Sequence, residues 1–215
     1  MKENYTDINI VLDRSGSMES VKSDTIGGFN SFLSQQKSVD GEATITLVQF
    51  DDIYETVYKA VPLSDAKSLN NDTFVPRGMT ALLDAIGRTI LEAGNRLASL
   101  NEDQRPDKVI FVILTDGQEN SSREYDKHRI NEMIQHQRDV YKWEFIFLGA
   151  NQDAISTADS MGIAQANALT YAANAVGTQK AFDAVARNIV AYRQNIAPSA
   201  SFSDDDREEQ KQSGA

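Results

Sequence analysis

The 215-residue chain contains no cysteine. That excludes disulfides and thiolate metal sites, and with them the small disulfide-stapled folds. Histidine is nearly as scarce. His128 and His136 lie in one polar stretch with helical character, where an exposed helix surface is their ordinary place. No apolar run approaches the roughly 18 residues of a membrane span, and Met1 to Asp7, MKENYTD, has no feature of a secretory leader. These absences point to a cytoplasmic protein with no membrane insertion. Positive charge is short as well: 21 Lys and Arg stand against 32 Asp and Glu, for a net charge of −11. Such a balance argues against a nucleic-acid backbone or an anionic membrane as partner and favours basic or metal-bridged ones.

What is present is organised around residues 8–18, INIVLDRSGSM. Ile8, Ile10, Val11 and Leu12 form a short, nearly continuous apolar run, the pattern of a strand buried on both faces of a parallel sheet. It stops in Asp13, after which Ser15 and Ser17 alternate, so that in an extended turn the three side chains converge while Gly16 lets the backbone fold round them. One carboxylate and two hydroxyls are hard oxygen ligands, suited to Mg²⁺ or Mn²⁺ rather than zinc. Taken alone, the same residues also read as a loop that caps the next helix. Two further stretches weigh against that reading. A second apolar strand, VIFVIL at 109–114, ends in Thr115-Asp116-Gly117, and Arg77-Gly78-Met79-Thr80 brings a glycine-flanked hydroxyl to the start of a long helical pattern.

Asp13-x-Ser15-x-Ser17, Gly78-x-Thr80 and Thr115-Asp116-Gly117 together resemble the metal-ion-dependent adhesion site of the von Willebrand factor A (VWA) domain family. All five metal positions, Asp13, Ser15, Ser17, Thr80 and Asp116, match in order. The resemblance covers about residues 5–195 and is closest to small stand-alone bacterial or phage VWA proteins, which Gly149-Ala150-Asn151-Gln152-Asp153 and Gly162-Ile163 also resemble. It implies Mg²⁺, Mn²⁺ or Ca²⁺ held mainly by the hydroxyls of Ser15, Ser17 and Thr80. Asp13 and Asp116 would act largely through hydrogen bonds and bridging waters, and one coordination position would stay open for a carboxylate of a protein partner. It further implies adaptor or scaffold work, sometimes beside AAA+ ATPases or in stress-response and phage-related assemblies. Thr115 and Gln118 are candidates for orienting the site.

The rest of the chain alternates helix and strand. Apolar spacing predicts a helix over 19–36, a strand over 43–50, a two-residue turn at Asp51-Asp52 and an antiparallel edge strand over 53–61. It then predicts a long helix from Thr80 to about Leu97, a strand over 108–115 and a helix near 123–141. A strand over 143–148, a short helix over 153–161, a weak strand over 168–171 and a last helix near 178–195 complete the pattern. This is α/β architecture: a doubly wound, mostly parallel central sheet with one antiparallel edge strand and helices on both faces. In the family order 3-2-1-4-5-6 the reversal falls between the strands ending at Asp13 and Asp116, where ligands of such sheets bind.

The domain is expected over 1–197. Residues 198–215 read as an acidic, disordered tail carrying Asp204, Asp205, Asp206, Glu208 and Glu209 with Phe202 as its one aromatic. Such a tail could itself offer carboxylates to the metal. Tyr54, Tyr58 and Trp143 read as packing rather than partner surface, and Asp51-Asp52 as a turn rather than a second ion site. The competing function is a Mg²⁺-dependent phosphohydrolase or phosphotransferase using the same crevice. Enzymes with an aspartyl nucleophile usually carry a second Asp two residues on, where this chain has Ser15, and no Gly-rich phosphate loop with its lysine occurs.

Overall fold

The computed structural model describes residues 1–150 and 153–215. Six strands form one sheet in the order β3-β2-β1-β4-β5-β6: β1 (Lys2–Asp13), β2 (Glu42–Phe50), β3 (Tyr54–Pro62), β4 (Pro106–Thr115), β5 (Glu144–Ala150) and β6 (Ala168–Tyr171). All neighbours are parallel except β2 and β3, which form the expected antiparallel hairpin. The chain reverses its direction of travel across the sheet between β1 and β4.

Alternation along the central strands sorts side chains between two cores. Ile8, Ile10 and Leu12 of β1 face α1 (Lys22–Lys37) and α5 (Ala175–Arg193), together with Phe29, Phe32, Leu33, Phe182, Val185 and Ile189. Val11 faces the opposite way, with Phe111 and Ile113 of β4, toward α2 (Leu82–Ala98), α3 (Lys127–Tyr141) and α4 (Ala154–Ser160). Both faces of the sheet are therefore dry, which is why its parallel strands read as unbroken apolar runs. Trp143 stacks on Phe111 at 5.3 Å between centroids, as a core residue. Tyr54 packs onto α2, its ring 4.2 Å from the Arg88 guanidinium and its hydroxyl 3.2 Å from Thr89 Oγ1.

Element boundaries move where polar caps decide them. The helix after β1 opens as a 3-10 turn, Gly16–Val21, before becoming α-helical. The helix expected from residue 123 starts four residues later, because the amides of Arg123, Glu124 and Tyr125 donate to the Asp84 carboxylate. Asp126 then caps α3 by accepting from Arg129 N–H. In α5 the Asn174 side chain accepts from Gly177 N–H and starts the helix earlier than apolar spacing indicates. Of the pentapeptide at 149–153, Asn151 and Gln152 lie outside the described residues.

The expectation of a disordered tail is corrected. Ala200 and Phe202 are buried against the α1/α5 core, and α6 (Asp204–Gln212) follows with a complete capping box between Ser203 and Asp206. Polar side chains dock it: Asp206 pairs with Arg187, Arg207 donates to Ala168 C=O at 2.8 Å, and Gln210 bridges Ala172 N–H and Gly177 C=O. The segment covers the outer edge of β6, one of the two places where the sheet exposes unpaired backbone.

Candidate metal centre

The five predicted positions converge at the carboxyl ends of β1 and β4. Asp13, fully buried at the end of β1, accepts from Ser15 N–H at 2.6 Å through Oδ1 and from Thr115 Oγ1 at 2.5 Å through Oδ2. Ser15 and Ser17 are 3.1 Å apart at their hydroxyl oxygens, and Ser17 Oγ donates to Asp116 Oδ1 at 2.6 Å. Thr80 joins from the opposite wall. A methyl group placed on Gly117 would lie 2.9 Å from Thr80 Oγ1, 3.4 Å from Ser17 Oγ and 3.6 Å from Ser15 Oγ. One point beside Gly117 is thus within reach of all three hydroxyls.

The loop carrying Thr80 is held against β1 by backbone bonds. Gly16 N–H donates to Gly78 C=O at 3.2 Å and Arg77 N–H to Arg14 C=O at 2.8 Å. Gly78 has φ +67°, and a Cβ there would fall 2.1 Å from Asp52 Oδ1, so the turn requires glycine. Beneath it, buried Asp51 accepts from Arg14 Nε at 3.0 Å and Arg77 Nε at 2.8 Å through one oxygen, and from Ile53 N–H through the other. Those contacts occupy Asp51 as a structural tie. The other wall is locked by residues that sequence reasoning missed. Asn120 Oδ1 accepts from Thr80 N–H at 2.9 Å, and Glu119 accepts from the amides of Leu83, Ser121 and Ser122 and from Ser122 Oγ. Asp84 returns the favour to residues 123–125, leaving α2's first turn and the loop after β4 stapled in both directions. The available signal was an acidic residue in that first turn and another just before a serine pair.

Burial pushes the Asp13 carboxyl up to about 6, against the hydrogen bonds of Thr115 and Ser15, and the Asp116 charge adds to the rise. Burial also raises Asp116, against its bond from Ser17. Two carboxylates held in a partly dry crevice make a site short of positive charge. Among the described residues no group of three or more His, Cys, Asp or Glu is placed to hold a metal ion; the oxygens gathered here are two carboxylates and three hydroxyls. The donor set fits a hard cation. Hydroxyl and carboxylate oxygens are the ligands that Mg²⁺ and Ca²⁺ take.

A parallel-rich sheet reversing at this crevice, with hydroxyls and carboxylates gathered at the strand ends, defines an α/β domain with an oxygen-lined crevice. Residues 7–191 match the family model for the von Willebrand factor type A domain, and the chain belongs to that family. Among solved structures it resembles the proximal thread matrix protein 1 of the mussel byssus, at TM-score 0.61 and 16% identity over 84% of this chain and 47% of that one. A further structure of that protein has a zinc-occupied adhesion-site motif. The pilus adhesin SpaC of Lactobacillus rhamnosus GG aligns at TM-score 0.64 and 16% identity, covering 88% of this chain and 30% of the adhesin. A von Willebrand factor type A protein of Catenulispora acidiphila aligns at TM-score 0.54 and 16% identity, covering 89% and 43%. The chain spans under half the length of each. No curated protein matches it significantly.

Proposed function

We propose that the chain is a metal-dependent protein-interaction module. In this reading Ser15, Ser17 and Thr80 hold a divalent cation, Mg²⁺ or Mn²⁺ with Ca²⁺ as the third candidate, and Asp13 and Asp116 orient that shell. When bound, the cation supplies a hard Lewis-acid position that a partner's Asp or Glu carboxylate completes. The observation that carries the reading is the point beside Gly117 within 2.9–3.6 Å of three hydroxyls. The zinc-occupied motif in the byssus protein supports it by analogy.

The phosphoryl-transfer alternative is disfavoured by Asp13, which is fully buried and so presents no exposed oxygen to a substrate. Work as a cytoplasmic adaptor of bacterial or phage origin, in assemblies containing an AAA+ ATPase or stress-response components, belongs to the same proposal. Among the described residues no helix is long and apolar enough to cross a membrane.

The test is thermal. Mg²⁺ or Mn²⁺ should raise the melting temperature in proportion to occupancy, and Ser15→Ala combined with Ser17→Ala should abolish most of the rise. An equal response in the double variant would refute the assignment. Capture of a partner on immobilised protein should in turn be reversed by EDTA.

A further inference from the structure

Three hydroxyls are fully buried and have no hydrogen-bond partner among the described residues: Thr25 in α1, Tyr171 at the end of β6 and Thr178 in the first turn of α5. They belong to one region. Gly28 of α1 lies against the Phe182 ring of α5, where a Cβ would come 2.3 Å from Cδ2. Thr25 and Thr178 lie one turn back from Gly28 and Phe182 along their own helices, on the same faces. The start of α5, Ala175, is four residues after Tyr171.

The sheet register runs Leu12–Leu114–Leu148–Leu169 from β1 across to β6. Tyr171 stands two residues beyond Leu169, so period-two alternation directs it into the α1/α5 core, where it is buried; Asp116 follows Thr115, the last residue of β4, and is two residues beyond Leu114. Between them on β5 the corresponding residue is Ala150, which pairs with Tyr171 and is too small to fill the space. Two strand spacings separate the positions, roughly 9–10 Å, a gap that a tyrosine side chain and a water can bridge.

Leaving three buried hydroxyls unpaired is costly, and native interiors resolve such groups with ordered water, about one per 27 residues. Each water needs two to four polar partners, and three hydroxyls beside a carboxylate provide them. We propose that Tyr171 is a positioning residue of the metal site, its hydroxyl sharing with Thr25 and Thr178 a buried water that hydrogen-bonds the Asp116 carboxylate. The proposal rests on the metal reading above. The phenol agrees with this placement: burial first, then the charges of Asp116 and Asp13, hold it well above its ordinary value. A water fixed there would set the angle at which Asp116 meets Ser17 and so the shape of the cation's shell.

The experiment is Mn²⁺ titration calorimetry on wild type, Tyr171→Phe and Thr178→Val, with melting temperatures recorded in metal-free buffer. Loss of an outer-shell partner should weaken Mn²⁺ binding about tenfold in Tyr171→Phe, and Thr178→Val should change it in the same direction by less. A merely structural role would move the metal-free melting temperature and leave Mn²⁺ affinity alone. Unchanged affinity in both variants overturns this inference while the metal site stands; a wild type that binds no Mn²⁺ overturns the metal reading itself. If Tyr171→Phe fails to fold, Thr178→Val decides alone.

Discussion

Gly117 has no side chain, and the space it leaves is where the hydroxyls of Thr80, Ser17 and Ser15 meet. Its φ is not in the left-handed region, so alanine can follow the backbone there without strain. Gly117→Ala therefore tests the cradle without removing any oxygen. The added methyl would sit 2.9 Å from Thr80 Oγ1, pushing that hydroxyl away from Ser15 and Ser17. We expect a folded protein with a metal-free melting temperature close to wild type and no calorimetric signal for Mg²⁺ or Mn²⁺. Retained binding would mean that the cation is held elsewhere. Thr115 belongs to the same scale. Sequence reasoning could name it only as a candidate, and the structure assigns its hydroxyl to Asp13 Oδ2.

At the scale of elements, what was legible and what was not follow a physical division. Apolar runs announced the central strands and the aspartates that follow β1 and β4, because both faces of the sheet are buried there and a buried strand tolerates little else, while the exposed edge strand β3 was legible from period-two alternation. Neither pattern said anything of the loop between Asp116 and α3, whose conformation depends on carboxylate–amide bonds made across about 40 residues of sequence. Glu119→Ala would leave the amides of Leu83, Ser121 and Ser122 without their acceptor. By the cost of losing a helix cap, about 1–2 kcal/mol, it should lower the melting temperature by roughly 2–8 °C for a chain of this size. Metal affinity should fall too, since Asn120 on the same loop holds Thr80. No change in stability would show the loop to be held by other contacts. The tail failed as a sequence expectation for a related reason: α6 docks through Asp206, Arg207 and Gln210, polar residues that in composition mark disorder. Burial works to raise Asp206, but the Ser203 bonds and the Arg187 charge outweigh it and hold the carboxyl below its ordinary value. A depressed folded value means that its stabilising contribution is present above the unfolded value, about 3.9, and lost as pH falls through the folded one. Hydrogen-exchange protection over residues 204–212 should accordingly drop in acid, and Asp206→Ala should lose protection already at neutral pH. Equal protection at neutral pH and near pH 3 in the wild type would show that Asp206 does not hold the helix.

For the whole molecule, the two open edges of the sheet and the net charge set the terms of association. With β6 covered by α6, the outer edge left is β3, where the register with β2 shifts twice and Ala60 adopts φ +47°. Such irregularity, with Glu55 tied to Arg14 and Lys59 to Glu92, discourages another strand from pairing there. In the proposed function the partner meets the strand-end crevice, and charge constrains who can use it. A chain of net −11 repels an acidic partner at long range, whereas the proposed metal reading calls for a carboxylate at short range. The two demands are reconciled by a partner that is basic overall and presents a single Asp or Glu within a positive surface. Long-range attraction of that kind is screened as the Debye length falls from about 30 Å at 0.01 M salt to about 10 Å at 0.1 M. The association rate of an EDTA-sensitive partner should then fall several-fold over that range, with dissociation little changed. An association rate that rises with salt would identify an acidic partner and overturn the argument from charge.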